Sequence, residues 1–432
     1  MRPEPVPAGE APPAMTVRRS AAALAATAAV LCAAAAAAPA AVAAPSPSPS
    51  AALPSGLYGT ADPTYDGVWR QSLAFVSQRA VGVMPAAQAV DWLVGQQCDS
   101  GAFAAYRPDP SVPCDAKTTI DTNATAAAVQ ALHEVGRHEE LVANGVDWLK
   151  SVQNEDGGWG YTAGGPSANS TSIVIGALAR AGERLGDITT HGGKTPYDAL
   201  LTFAIPCGGK DGGAFAYQPD KAGQLVANGD ATAAGVLGSL GKGLVVGDTA
   251  AAKAPTCKKT TPLRPERAAQ NGAHYLAGAL AKTGHLDQPP MPGAEDSAPQ
   301  PDFGNTADAV VALSASGHQD KAAASVDWLA KNSADWAAQS GPAAYAQLVM
   351  AAHSTGADVH DFGGADLVAQ LNATGPAPAS VSKPKPAATE EEKKDSGDGD
   401  GIGGVWWFVG IGLAVGAGAG FLISGRRKNQ QL

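Results

Sequence analysis

Trp148-Leu149-Lys150-Ser151-Val152-Gln153-Asn154-Glu155-Asp156-Gly157-Gly158-Trp159 repeats an earlier stretch of the same chain, Trp92-Leu93-Val94-Gly95-Gln96-Gln97-Cys98-Asp99-Ser100-Gly101-Ala102-Phe103. Both copies read aromatic-Leu-x3-Gln-x3-Gly-x-aromatic, and positions 92 and 148, 97 and 153, 101 and 157, and 103 and 159 are all 56 residues apart. A fixed period of this size is the mark of stacked supersecondary units. In each unit the pattern reads as a joint. Trp92 and Trp148 anchor one helix, and Gly101 and Gly157 let the chain reverse. Phe103 and Trp159 follow the turn, while Gln97 and Gln153 satisfy backbone groups left open where one helix stops and the next begins.

Outward from these two copies the units degenerate but persist. Unit one pairs an outer helix around Trp92 with an inner helix around Thr125 to Leu132, and unit two pairs Trp148 with Thr171 to Leu178. Unit three keeps Asp211-Gly-Gly-Ala-Phe215 and Asp230 to Leu237 but loses its Gln where Pro206-Cys207 interrupts. A fourth unit reads from Tyr275 and from Asp302 to Leu313, a fifth from Trp328 and from Ala343 to Met350, and residues 366–371 supply a helix of a sixth pair. A further helical pattern around Trp69 and Leu73 precedes unit one.

This repeat resembles the QW motif of the terpenoid cyclase and protein prenyltransferase families, whose units build an α/α toroid of paired inner and outer helices. The fold class it implies is all-α: a toroid of about five to six helix pairs over residues 65–375, with a C-terminal transmembrane helix. The resemblance would also imply chemistry, and here the residues diverge. The cyclases protonate an alkene or epoxide with an Asp-x-Asp-Asp cluster, and no such contiguous cluster occurs in the body of this chain. The prenyltransferases hold zinc on an Asp, Cys and His set. The histidines here show no metal-ligand spacing, so neither a metal nor another cofactor is expected.

The ends of the chain speak of export. Arg18 and Arg19, an apolar run over 20–38 and small residues up to position 44 form a secretory signal peptide, with 1–14 as a spurious leader. At the far end, 405–423 is an uncharged span long enough to cross a bilayer, closed by Arg426, Arg427 and Lys428 on the cytoplasmic side. The tail is 424–432, and 376–404 is a Pro/Ala-rich, then charged, stalk. The expected address is the cell membrane, single-pass, with the main domain extracytoplasmic. Gly412, Gly416 and Gly420 make a small-residue stripe through which the span could touch a membrane transporter.

A formal net charge of −10 speaks against a nucleic-acid partner. Four cysteines remain after the leader, an even set in an exported body. The pairing that clips one long connection within each repeat is Cys98 with Cys114 and Cys207 with Cys257.

Polar residues recur where the inner helices start: Asp121, Asn123 and Thr125; Asn169 and Thr171; Asn228, Asp230 and Thr232; Asn305, Thr306 and Asp308. They read either as N-caps or, since a toroid gathers these ends at one mouth, as a ring of ligand-binding groups. Aromatics make up 6% of the chain, and those that can be placed belong to the joints. The leading expectation is therefore a non-enzymatic binding protein that takes a small polar molecule or a partner. Similarity of architecture to the cobalamin carriers of animals makes a corrinoid one such ligand. An exported cyclase-like enzyme is the alternative, and a structural surface scaffold the second alternative.

Overall fold

The computed structural model describes residues 53–162, 164–247, 249–288 and 298–379. The leader, most of the stalk, the 405–423 span and the Gly412, Gly416 and Gly420 stripe lie outside the described residues; no described helix is long and apolar enough to cross a membrane.

Thirteen helices are described: α1 (Gly67–Ala80), α2 (Ala87–Gly95), α3 (Thr122–Val135), α4 (Glu139–Ser151), α5 (Ala168–Arg180), α6 (Pro196–Thr202), α7 (Gly229–Ser239), α8 (Pro265–Leu280), α9 (Phe303–Ala315), α10 (Gln319–Asn332), α11 (Ala334–Ser340), α12 (Pro342–Thr355) and α13 (Leu367–Ala373). Six of them pack side by side in the order α1, α3, α5, α7, α9, α12 and back to α1, which closes a ring. Around it, α4 packs on α3, α8 on α7, α10 on α9 and α13 on α12. The molecule is an α/α toroid. The helix that precedes the first repeat, α1, is an inner stave and not an accessory.

Composition explains the layering. Inner staves such as α3 carry runs of alanine that are fully buried, Ala124, Ala126, Ala127 and Ala128 among them, so six helix backbones can crowd round one axis. Gly235 of α7 faces the Phe215 ring and Gly238 faces Ser172 of α5, each too close for a Cβ. The ring is sealed where the first and last described segments meet. Gln78 of α1 donates to the Asn372 side chain of α13 at 2.7 Å, and the Gly59 amide donates to the Thr374 carbonyl at 2.7 Å.

The joints are visible in atomic detail. The Gln97 amide donates to the Gly101 and Leu141 carbonyls at 2.9 Å each, and Gln153 donates to the Gly157 carbonyl at 2.8 Å. Gly101 and Gly157 hold φ of +89° and +97° with neighbouring backbone pressed against them, a conformation that a Cβ would strain. The tryptophans divide unequally. Trp159 and Phe103 are fully buried, whereas Trp92 and Trp148 are half-buried, Trp92 stacking on Tyr106 at 6.4 Å. The deep anchor is therefore the aromatic after the turn, not the one in the outer helix.

Two features modify the all-α expectation. Before α7 and before α9 the chain forms short antiparallel ribbons, β1 (Phe215–Pro219) with β2 (Leu225–Asn228), and β3 (Leu286–Asp287) with β4 (Pro301–Asp302). Each delivers an inner helix directly from its last residue. Two disulfides, Cys98–Cys114 and Cys207–Cys257, close connections of 16 and 50 residues.

Candidate functional site

The polar starts of the inner helices sort into three jobs. Asp121 and Asn228 are N-caps, accepting from the Ala124 and Ala231 amides at 2.9 and 2.8 Å. The corresponding caps of α5 and α9 are Ser167 and Asp302, not Asn169 or Asn305.

The four threonines are stitches, each fully buried. The hydroxyls of Thr125, Thr171, Thr232 and Thr306 accept from the backbone N–H of Phe103, Trp159, Phe215 and Leu286 at 2.9 to 3.1 Å. They tie the turn of each unit to its inner helix, each hydroxyl also donating to a backbone carbonyl, and none of the four lines the cavity described next. Replacing Thr232 by Val would leave the buried Phe215 N–H without a partner and is expected to cost about 1–3 kcal/mol, measurable by urea unfolding.

Asn123, Asn169, Asp230, Asn305 and Asp308 remain, and all five line one cavity of about 360 Å3 along the axis of the ring. Gln347 of α12 joins them, as do Trp69 and Leu73 of α1, with Ile173, Leu237, Val311 and Met350 supplying apolar wall. The far end is floored by residues 241–246: the Leu244 amide donates to Gln130 Oε1 at 2.8 Å, and the Lys242 carbonyl presses on Gly176. Trp69 and Gln347 fall on helices that the sequence marks, but no polar pattern at a helix start singles them out as site residues.

At the polar end of this cavity stand the carboxyl groups of Asp230 on α7 and Asp308 on α9, and the charge of Asp302, the N-cap of α9, acts on both. Asn169 Nδ2 donates to Asp230 at 2.8 Å, Gln347 Nε2 donates to Asp308 at 3.0 Å, and Asn305 Nδ2 donates to the capping Asp302 at 2.7 Å. Burial raises the Asp230 carboxyl, with Asn169 opposing and Asp302 adding to the rise. Asp308 is pushed up to about 7, by burial first and then by the negative charge of Asp230, while its single Gln347 donor pulls the other way. It nevertheless keeps part of its surface on the cavity. Asn123 Oδ1 and Asn169 Oδ1 are buried with no partner among the described residues, two unsatisfied acceptors on residues of the cavity wall. No group of three or more His, Cys, Asp or Glu among the described residues is arranged to hold a metal ion.

No family model and no curated protein matches the chain. Solved structures do: the chain is similar to an ent-copalyl diphosphate synthase from Streptomyces platensis (17% identity over 67% of this chain and 50% of that one, TM-score 0.44), to a type II terpene cyclase from Scytonema (14%, 64% and 72%, 0.40) and to a glycosidase (13%, 70% and 92%, 0.42). It spans about half the length of the synthase. These named neighbours are enzymes, so the expectation of a non-enzymatic binding protein is not kept; at these identities and TM-scores the likeness itself extends to the fold alone. A buried carboxyl raised beside a second carboxyl is a feature that acid catalysis can use. A cavity of about 360 Å3 is also at the small end of the ligand range, a size for a small substrate and not for a corrinoid.

Proposed function

We propose that this protein is an enzyme that uses Asp308 as a general acid to open a C–O bond, such as that of an epoxide or acetal, in a small neutral substrate. The observation that carries the reading is the carboxyl pair of Asp230 and Asp308 on the cavity, with Asp308 pushed up to about 7 by burial first, then by the charge of Asp230 and that of the capping Asp302. A carboxyl of that strength is protonated near neutral pH and can give its proton to an oxygen as the bond breaks, the condition under which general acid catalysis is most effective. Asp230, on the wall of the same cavity, would stabilise positive charge that develops on the substrate. The free oxygens of Asn123 and Asn169 orient a hydroxyl, and Ile173, Leu237, Val311 and Met350 pack the apolar remainder. The pair supplies the proton that a contiguous Asp-x-Asp-Asp supplies in the cyclases the repeat resembles, and descent from that QW-repeat stock is part of this reading.

The same reading places the enzyme outside the cell membrane. The signal peptide exports it, the 405–423 span holds it by a single pass, and the Gly412, Gly416 and Gly420 stripe offers that span a helix partner, a transporter among the choices. The two disulfides suit that compartment.

The test is turnover of a panel of small epoxides, linear isoprenoid epoxides and aryl glycosides by the purified full-length protein. At least one should be converted, with kcat/KM falling as pH rises through about 7, since the acid must be protonated. Asp308→Asn should lower kcat about 100-fold or more. No conversion of any member, or conversion indifferent to Asp308→Asn, would remove the reading.

A further inference from the structure

Outside the ring, where the connection between α2 and α3 passes the start of α1, lies a separate groove of about 710 Å3. Of the seven large apolar side chains most exposed among the described residues, three converge on it: Tyr65 at 83%, Val112 at 59% and Tyr161 at 47% exposure. Exposed rings gathered on one surface call for a partner, because scattered apolar residues need none but convergent ones mark recognition sites.

The groove is built stiffly. Arg107 is 8% exposed and donates to four backbone carbonyls, those of Gly95, Gln97, Pro110 and Val112, at 2.7 to 3.1 Å. Gln96 accepts from the Arg107 amide at 2.6 Å, and the Cys98–Cys114 disulfide closes the same loop. The guanidinium is thereby consumed as scaffold and is not offered to an anion. A preformed surface loses little freedom on binding.

What this surface offers selects the ligand. Tyr65, Tyr106 and Tyr161 supply aromatic surface with hydroxyl tips. Partial burial, then the charge of Asp121 and a hydrogen bond to it, push the Tyr161 hydroxyl up to about 12; its proton is held by that carboxylate, and the ring is what Tyr161 offers. Asp109 and Asp115 each use Oδ1 to fix their own turns, through Ser111 and through Lys117 and Thr118, which leaves a second oxygen on each carboxylate to accept. Against these acceptors Lys117 is the one lining cation not tied up as scaffold. Anionic polymers are disfavoured there, while a chain of neutral rings with apolar C–H faces and many hydroxyl donors is matched on both counts.

We propose that this groove is a binding site for a neutral oligosaccharide or polysaccharide chain, a docking function separate from the axial cavity. It does not depend on Asp308. The test is isothermal titration of the full-length protein with cellohexaose, xylohexaose, mannohexaose, maltohexaose and laminarihexaose. At least one should bind with Kd below about 1 mM. Tyr65→Ala should weaken it about tenfold or more, while Tyr217→Ala, an exposed tyrosine on β1 that does not line the groove, and Asp308→Asn should leave it unchanged. Failure of all five sugars to bind, or binding that ignores Tyr65→Ala, would overturn the proposal. So would a polyproline peptide that binds with the same Tyr65 dependence when no sugar does.

Discussion

Asp308→Asn is expected to make the protein more stable, and increasingly so as pH rises. In the folded state the carboxyl sits at about 7, against an ordinary value near 4 in the unfolded chain. A carboxyl raised in this way favours the folded state fully only below about pH 4, and that contribution is lost as pH climbs through 7, because the unfolded chain ionises first. Asparagine keeps an oxygen to accept from Gln347 and removes the charge that burial and Asp230 oppose. Between pH 4 and pH 8 the stability difference between variant and wild type should therefore grow by roughly 3 kcal/mol in the variant's favour. Urea unfolding at both pH values measures it. A difference that stays flat with pH would mean that Asp308 titrates like a surface carboxylate.

The second large effect belongs to the joint. Trp159 is 1% exposed, its indole N–H donates to the Leu149 carbonyl at 2.8 Å, and its backbone amide reaches Thr171 at 3.1 Å. Trp159→Ala removes the largest fully buried side chain of the toroid and strands a buried carbonyl, which should cost about 3–5 kcal/mol. Trp148 lies in the same unit but is half-buried; its truncation leaves no closed cavity and should cost about 1–2 kcal/mol. Equal losses in the two variants would contradict the assignment of the post-turn aromatic as the anchor.

The contrast between these tryptophans shows what the sequence carried and where it stopped. A constant spacing of 56 residues between matched joints is a statement about backbone repetition, and it sufficed for an α/α toroid because repetition determines how helices stack. It did not say which tryptophan is deep, since the repeat marks both as joint positions and spacing carries no information on burial. Nor did it separate capping, stitching and cavity-lining residues at the helix starts. Asn123 and Thr125 are two positions apart, yet one faces the axis and the other turns back to the Phe103 amide.

The carboxyl cluster was illegible for a different reason. Asp230 comes from α7 and Asp302 and Asp308 from the start of α9, adjacent staves separated by the whole of α8 and a ribbon. Searching for a contiguous Asp-x-Asp-Asp could not find acids that only the closed ring brings together, and the non-enzymatic expectation followed from that miss. Gln347 was hidden likewise, because α12 lacks the glycine turn and threonine stitch that mark the other units. The ribbons β1–β2 and β3–β4 fell in stretches broken by glycine and proline, where helical periodicity gives no signal.

The central claim is that the axial cavity holds a carboxylic acid still protonated near neutral pH. It is tested most directly by following the side-chain carboxyl carbons of 13C-aspartate-labelled full-length protein by NMR from pH 3 to pH 9, with Asp308→Asn identifying the resonance. Asp308 should titrate with a midpoint near 7, and Asp230→Asn should lower that midpoint by removing the neighbouring charge. A midpoint near 4, the ordinary aspartate value, unmoved by Asp230→Asn, would contradict the account.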